Sequence, residues 1–260
     1  MSISEYTTRR RKVWIDTDAG TDDAIALMIA MSHPDVDIVG ISTVGGNVSL
    51  DCVTQNVLYI KELYNNQAPV HAGAAQPLQR NLGKADFIHG KDGLGDIGLP
   101  LTERTYSSTP AEEAIIAALI EHHGDLEIIT LGPLTNLAKA IQQSPEISSL
   151  IKHCYIMGGL ITGPGNVTPH AEYNIWADPE AAQYILSAEM PMTTIGWDTT
   201  ELSGFFTLEE IAELREIGTH IATIAADMQM VRINWQKSQG LKEVVTWTVS
   251  QVVTSDISVK

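Results

Sequence analysis

The chain has 260 residues, with 16 Lys plus Arg against 32 Asp plus Glu, a net charge of −16, and 44% hydrophobic residues. That apolar content suits a folded core and excludes an intrinsically disordered chain. The charge argues against a nucleic-acid partner and against an anionic membrane surface, since both need clustered cations. An excess of acidic side chains is suited instead to a hard cation such as Ca²⁺ or Mg²⁺.

Cys52 and Cys154 sit in apolar stretches with no CxxC, and read as buried free thiols. The basic cluster Arg9, Arg10, Arg11, Lys12 runs directly into a short strand rather than an apolar signal core. No apolar run approaches membrane-spanning length, so a cytoplasmic protein is expected.

In chain order, residues 13–15 read as a buried strand and 24–31 as a helix that stops before Pro34. Residues 37–44 are β-branched and strand-like; 53–64 carry a helical stripe; Pro69-Val70 begins another short apolar piece. Thr109-Pro110-Ala111-Glu112 predicts a helix start with a capping box, the helix running to His122 before Gly124. A strand over 126–131, a helix over 137–141 and a strand over 151–157 follow. Asp178-Pro179-Glu180 opens a helix to Leu186, residues 192–197 read as a strand, and the Thr207–Glu210 box opens one long helix to about Lys237. Strands alternating with helices predict an α/β fold with an open, mainly parallel sheet flanked by helices. Ligands of such sheets bind beyond the carboxyl ends of the strands.

The segment after the first strand stands out. Asp16-Thr17-Asp18-Ala19-Gly20-Thr21-Asp22-Asp23 places four carboxylates before a helix, with Gly20 expected to permit the tight turn. Crowded carboxylates repel one another unless a cation offsets them. Three readings stay open on these residues: a divalent-metal site, plain helix-capping acids, or a Mg²⁺-dependent phosphatase with Asp16 as aspartyl nucleophile.

Asp16 to Ala24 resembles the N-terminal signature of the inosine/uridine-preferring nucleoside hydrolases. Further segments resemble that family in order: Val44-Gly45-Gly46-Asn47, His89-Gly90 with Gly93-Leu94, Leu131-Gly132-Pro133-Leu134-Thr135-Asn136, Met157-Gly158-Gly159, Gly165-Asn166, the stretch from Ala171 to Ala182, and Gly196-Trp197-Asp198. The resemblance covers residues 13 to 241 and implies one nucleoside hydrolase-like domain there, after an N-terminal tail over 1–12. It implies hydrolysis of the N-glycosidic bond of ribonucleosides, as in purine and pyrimidine nucleoside catabolism, with Ca²⁺ as cofactor. Carried over by position, Asp18 ligates the metal and acts as base toward water. Asp23 is a metal ligand, and so is the main-chain carbonyl of Leu131. Asp22, Asn47, Asn166, Glu172 and Asn174 bind the ribose, and His89 lies near the leaving base. Family members are commonly dimers or tetramers, so a homo-oligomer is expected.

Without the resemblance His89 reads as a surface-loop histidine, and Glu172 and Asn174, alternating with Tyr173 and Ile175, as a solvated strand face. Trp176 and Trp197 read as packing residues. Residues 242–260 depart from the family pattern. They hold no His-Asp or Pro-Asp pair, have one acid of the right kind in Asp256, and are β-branched where the family has a helix. They read as a divergent tail. Impaired catalysis is expected, and a non-catalytic nucleoside-binding relic is the alternative.

Overall fold

The computed structural model describes residues 10–83, 86–238, 240 and 246–247. Eight strands and ten α-helices run in the order β1 (Arg11–Thr17), α1 (Thr21–Ser32), β2 (Val36–Thr43), α2 (Leu50–Leu63), β3 (Val70–Ala72), α3 (Asp86–His89), α4 (Ala111–Glu121), β4 (Leu126–Thr130), α5 (Thr135–Gln143), β5 (Ile151–Met157), α6 (Tyr173–Ala177), α7 (Pro179–Leu186), β6 (Met192–Ile195), α8 (Trp197–Ser203), β7 (Phe205–Phe206), α9 (Leu208–Glu216), α10 (His220–Ser238) and β8 (Thr246–Trp247) among the described residues.

Six strands form one sheet in the order β3-β2-β1-β4-β5-β6, and every pairing in it is parallel. The central strand β1 is apolar on both faces. Val13 and Ile15 join the core under α1 and α2, whereas Trp14 joins the core under α4, α5 and α7. This is the two-residue alternation of a strand covered by helices on both sides. From β1 the chain first winds outward to β2 and β3, then returns to the other flank of β1 as β4 and winds out to β5 and β6. The direction of winding therefore reverses between β1 and β4. The loops that follow these two strands part there and leave a crevice.

The structure departs from the sequence-based expectations in several places. Gly218, at φ +72°, ends a helix that the periodicity carries unbroken to Lys237, giving α9 and α10. An isolated glycine is tolerated inside helices, so periodicity alone did not mark the break. The Thr109 cap is not formed: Pro110 occupies the cap position without a side-chain hydrogen bond, and the Thr109 carbonyl pairs instead with His71 Nδ1 at 3.0 Å. The Thr207–Glu210 capping box does form. Trp197 opens α8 instead of ending β6. The residues read as a divergent tail, 242–260, lie outside the described residues except for β8, which pairs antiparallel with β7. No helix among the described residues is long and apolar enough to cross a membrane.

Candidate active site

The loop after β1 carries the acids. Its tight turn does not use the glycine as expected. Gly20 has an ordinary φ of −72°, and the left-handed residue is Ala19, at φ +37° and fully buried. A non-glycine residue there costs about 1 kcal/mol or more and is held by its surroundings. Here Asn56 Nδ2 donates to the Ala19 carbonyl at 3.2 Å and Thr17 Oγ1 accepts from Ala19 N–H at 3.0 Å. Gly20 is needed for space instead. A Cβ there would lie 2.6 Å from Asn47 Nδ2 and 2.9 Å from His89 Nδ1.

Asp18 is 1% exposed. The backbone N–H of Asn47, in the loop after β2, donates to its Oδ2 at 2.8 Å. Its carboxylate fits between two glycines. A Cβ on Gly46 would overlap Asp18 Oδ2, and one on Gly132 would come within 2.8 Å of Oδ1. Asp23, at the start of α1, lies beside Asp18 and accepts from Thr17 Oγ1 at 3.0 Å. Burial raises the Asp18 carboxyl to about 6. It also lifts Asp23 well above its ordinary value, and there the neighbouring Asp18 and Asp22 charges act in the same direction. The Leu131 carbonyl, just past β4, accepts from Asn174 Nδ2 at 2.7 Å.

These groups meet. Asp18, Asp22, Asp23, Asn47, His89, Leu131, Asn166, Glu172 and Asn174, every site residue that the family resemblance names, line a single cavity of about 310 Å³. It lies at the β1/β4 crevice. Asp16 is not among the lining residues. Its side chain is 1% exposed and bonds to Ser42 Oγ and, at 2.8 Å, to Asn136 Nδ2. An aspartyl nucleophile must reach substrate, so the geometry counts against the phosphatase reading.

Glu172 and Asn174 do not lie on a strand. Glu172 caps α6, accepting from Asn174 N at 2.8 Å, Ile175 N at 3.1 Å and Gly159 N at 2.9 Å. Burial nevertheless raises its carboxyl to about 7. His89 is buried, not a surface-loop residue. Thr21 N–H donates to its Nδ1 at 3.2 Å, so Nδ1 is the acceptor and Nε2 carries the ring hydrogen. Burial holds its pKa below the ordinary value, against the opposing Asp22 charge, with Arg232 reinforcing the fall. The ring is neutral at neutral pH.

The remaining lining was not found in the sequence. Ile88, Met157, Val167, Tyr173, Trp176, Trp197, Arg232 and Trp235 complete the cavity. Trp197 is both core and lining; Trp176 is 38% exposed. Arg232 and Trp235 are three apart on α10, on one helix face, and this spacing is the one signal that could have paired them.

No group of three or more His, Cys, Asp or Glu is arranged to hold a metal among the described residues. Two buried carboxylates and a main-chain carbonyl do line one cavity, and burial raises both carboxyls. Such hard oxygen donors fit a divalent cation of the calcium type.

An acid-floored cavity at the switch point of a parallel sheet is the ligand site of an α/β enzyme. The chain belongs to the inosine-uridine preferring nucleoside hydrolase family, whose model matches residues 13–254. Membership makes it an N-glycosidase by class. It is 37% identical to uridine nucleosidase 1 of Arabidopsis thaliana over 93% of this chain and 72% of that protein. It is 39% identical to the pyrimidine-specific ribonucleoside hydrolase RihB of Escherichia coli over 87% of this chain and 72% of the relative. The structure of a plant nucleoside hydrolase, the PpNRh1 enzyme, superposes with a TM-score of 0.90 at 30% identity, covering 95% of this chain and 79% of the other.

Proposed function

We propose that the chain hydrolyses ribonucleosides to free base and ribose, with Asp18 accepting a proton from the attacking water. The supporting observation is the convergence on one cavity of every residue that the family resemblance assigns to the site, with carboxylates and aromatic side chains sharing its lining. Breaking an N-glycosidic bond builds positive charge on the sugar. Carboxylates and amides fixed around the ribose stabilise that charge and orient the hydroxyls. Asp22, Asn166, Glu172 and Asn174 take these roles. Asn47 lines the ribose side with them, and its backbone N–H holds Asp18 in one orientation. His89, neutral and carrying its hydrogen on Nε2, donates a hydrogen bond to the departing base without giving up that proton. Asp18, Asp23 and the Leu131 carbonyl would hold Ca²⁺. When bound, the cation would make a water more acidic and accept ribose hydroxyls.

Release of uracil from uridine and hypoxanthine from inosine, followed by chromatography with millimolar Ca²⁺, tests the reading. Asp18-dependent release is expected. Absence of base release together with absence of ribose binding would sink the proposal. Ribose binding without base release selects the relic. A cytoplasmic homo-oligomer remains the expected state, checked by fractionation and light scattering.

A further inference from the structure

The turn after β4 contains a side chain that the site described above does not use. Asn136, in the first turn of α5, has no exposed surface. Its Nδ2 donates to Asp16 Oδ1 on β1 at 2.8 Å and to the Thr43 carbonyl at the end of β2 at 3.0 Å. Its Oδ1 accepts from the N–H of Ala74, just past β3, at 2.8 Å. One amide therefore joins four consecutive strands of the sheet at their carboxyl ends.

The chemistry of these partners leaves little choice of residue. Ala74 offers only a donor and Thr43 only an acceptor, so the side chain must present both. Aspartate lacks the donor, and leucine lacks both groups. The clasp has a second layer. Ser42 Oγ donates to the same Asp16 Oδ1, and Trp14 Nε1 donates to Ser42 Oγ at 2.9 Å. Space is closed on the other side, because a Cβ on Gly73 would overlap Asn136 Oδ1. Both groups of the buried Asn136 amide are paired, while Asp16 Oδ2 has no hydrogen-bond partner among the described residues; the paired amide fixes one arrangement of the backbone that it joins.

The floor of the cavity is spread over the loops that this amide joins. Asp18, Asp22 and Asp23 follow β1, Asn47 follows β2, and Leu131 follows β4. We infer that Asn136 is a positioning residue for catalysis, setting the spacing of the loops that bring Asp18, Asn47 and the Leu131 carbonyl together. It touches neither substrate nor reacting atoms, and it acts through the strand ends. The inference rests on the hydrolase reading for its kinetic consequence, but not for its structural one.

The test compares Asn136→Ala with Leu137→Ala in the full chain. Leu137 is the next residue on the same helix and is equally buried, but it faces the apolar core. Both variants are expected to lose melting temperature. Only Asn136→Ala is expected to speed amide exchange over residues 43–48 and 72–75. It is also expected to lower kcat/KM for uridine or inosine by about 100-fold, the scale of an ångström-sized misplacement. Leu137→Ala should stay within about threefold of the unmodified chain when assayed well below its melting temperature. If Asn136→Ala does not fold, Gly73→Ala carries the same comparison, since it leaves Asn136 present and displaces it. A folded variant of either kind with unchanged kcat/KM overturns the inference. If the unmodified chain releases no base, the hydrolase reading fails, and the exchange of residues 43–48 and 72–75 judges the clasp alone, unchanged exchange overturning it.

Discussion

The floor of the cavity and its aromatic wall are drawn from different parts of the chain and held by different forces. The floor comes from loops after β1, β2 and β4, where each polar group has a backbone or buried partner at hydrogen-bond distance. The wall is made of apolar and aromatic side chains, Ile88 on α3, Val167 in the loop before α6, Tyr173 and Trp176 on α6, Trp197 on α8 and Trp235 on α10. A floor of that kind tolerates little displacement, because each shift breaks a specific bond. A wall of that kind can be reshaped at modest cost. In the proposed reading, the chemistry is assigned to the first and the preference among bases to the second.

The largest effect should come from the floor. Asp18→Asn preserves size but removes the proton acceptor, and a fall in kcat of about 1,000-fold is expected, read by base release at saturating nucleoside. A loss under tenfold would break the contrast, since Asp18 would then be no more critical than a wall residue.

A second effect concerns pH. Burial raises Asp16 to about 7, Asp18 to about 6 and Glu172 to about 7, and raises Asp23 as well. The folded chain therefore binds more protons than the unfolded one above the ordinary values of 3.8 and 4.5. Stability from these groups is fully present below those values and is lost as pH rises through 6 to 7. Without calcium, the melting temperature should drop between about pH 5 and about pH 8. Millimolar Ca²⁺ should restore it at the upper end and change little at the lower. A melting temperature that climbs with pH in calcium-free buffer would contradict the offsetting role assigned to the cation.

On the wall, Trp235→Ala is expected to raise KM about tenfold with kcat within about threefold, and by unequal amounts for uridine and inosine. Equal loss in kcat would move Trp235 to the floor side of the comparison. The smallest effect lies outside both. Thr207→Ala removes the side-chain cap of α9 and should cost about 1 kcal/mol of stability in a denaturant titration, leaving KM unchanged.

The same contrast explains what could be read without coordinates. Floor residues lie in short local motifs directly after strands, so the Asp16-to-Asp23 segment and the family resemblance of those motifs already named them together. The parallel sheet followed from the alternation of strands and helices, confirmed through β6. The wall had no such signal. Gln229 Nε2 reaches the Thr21 carbonyl at 3.2 Å across more than two hundred residues of sequence, and nothing local in α10 announces that contact. Arg232 and Trp235 read only as one face of a helix. Gly20 was legible as necessary but for the wrong reason, because crowding from Asn47 and His89 is a tertiary fact. Asp16, adjacent in sequence to the floor, looked like part of it; it still lies within β1, where Ser42 and Asn136 hold its carboxylate inside the sheet, while Asp18 lies in the loop beyond the strand end.

The slot around Asp18 also limits how this scaffold could be redesigned. Lengthening Asp18 to glutamate has no room between Gly46 and Gly132, and adding a methyl to either glycine would drive the carboxylate out. Three positions on three separate loops thus form one interlocked unit that has to be exchanged together or left alone. An engineer seeking acceptance of a new leaving group should leave that trio untouched and randomise the cavity-lining face of α10 at Arg232 and Trp235.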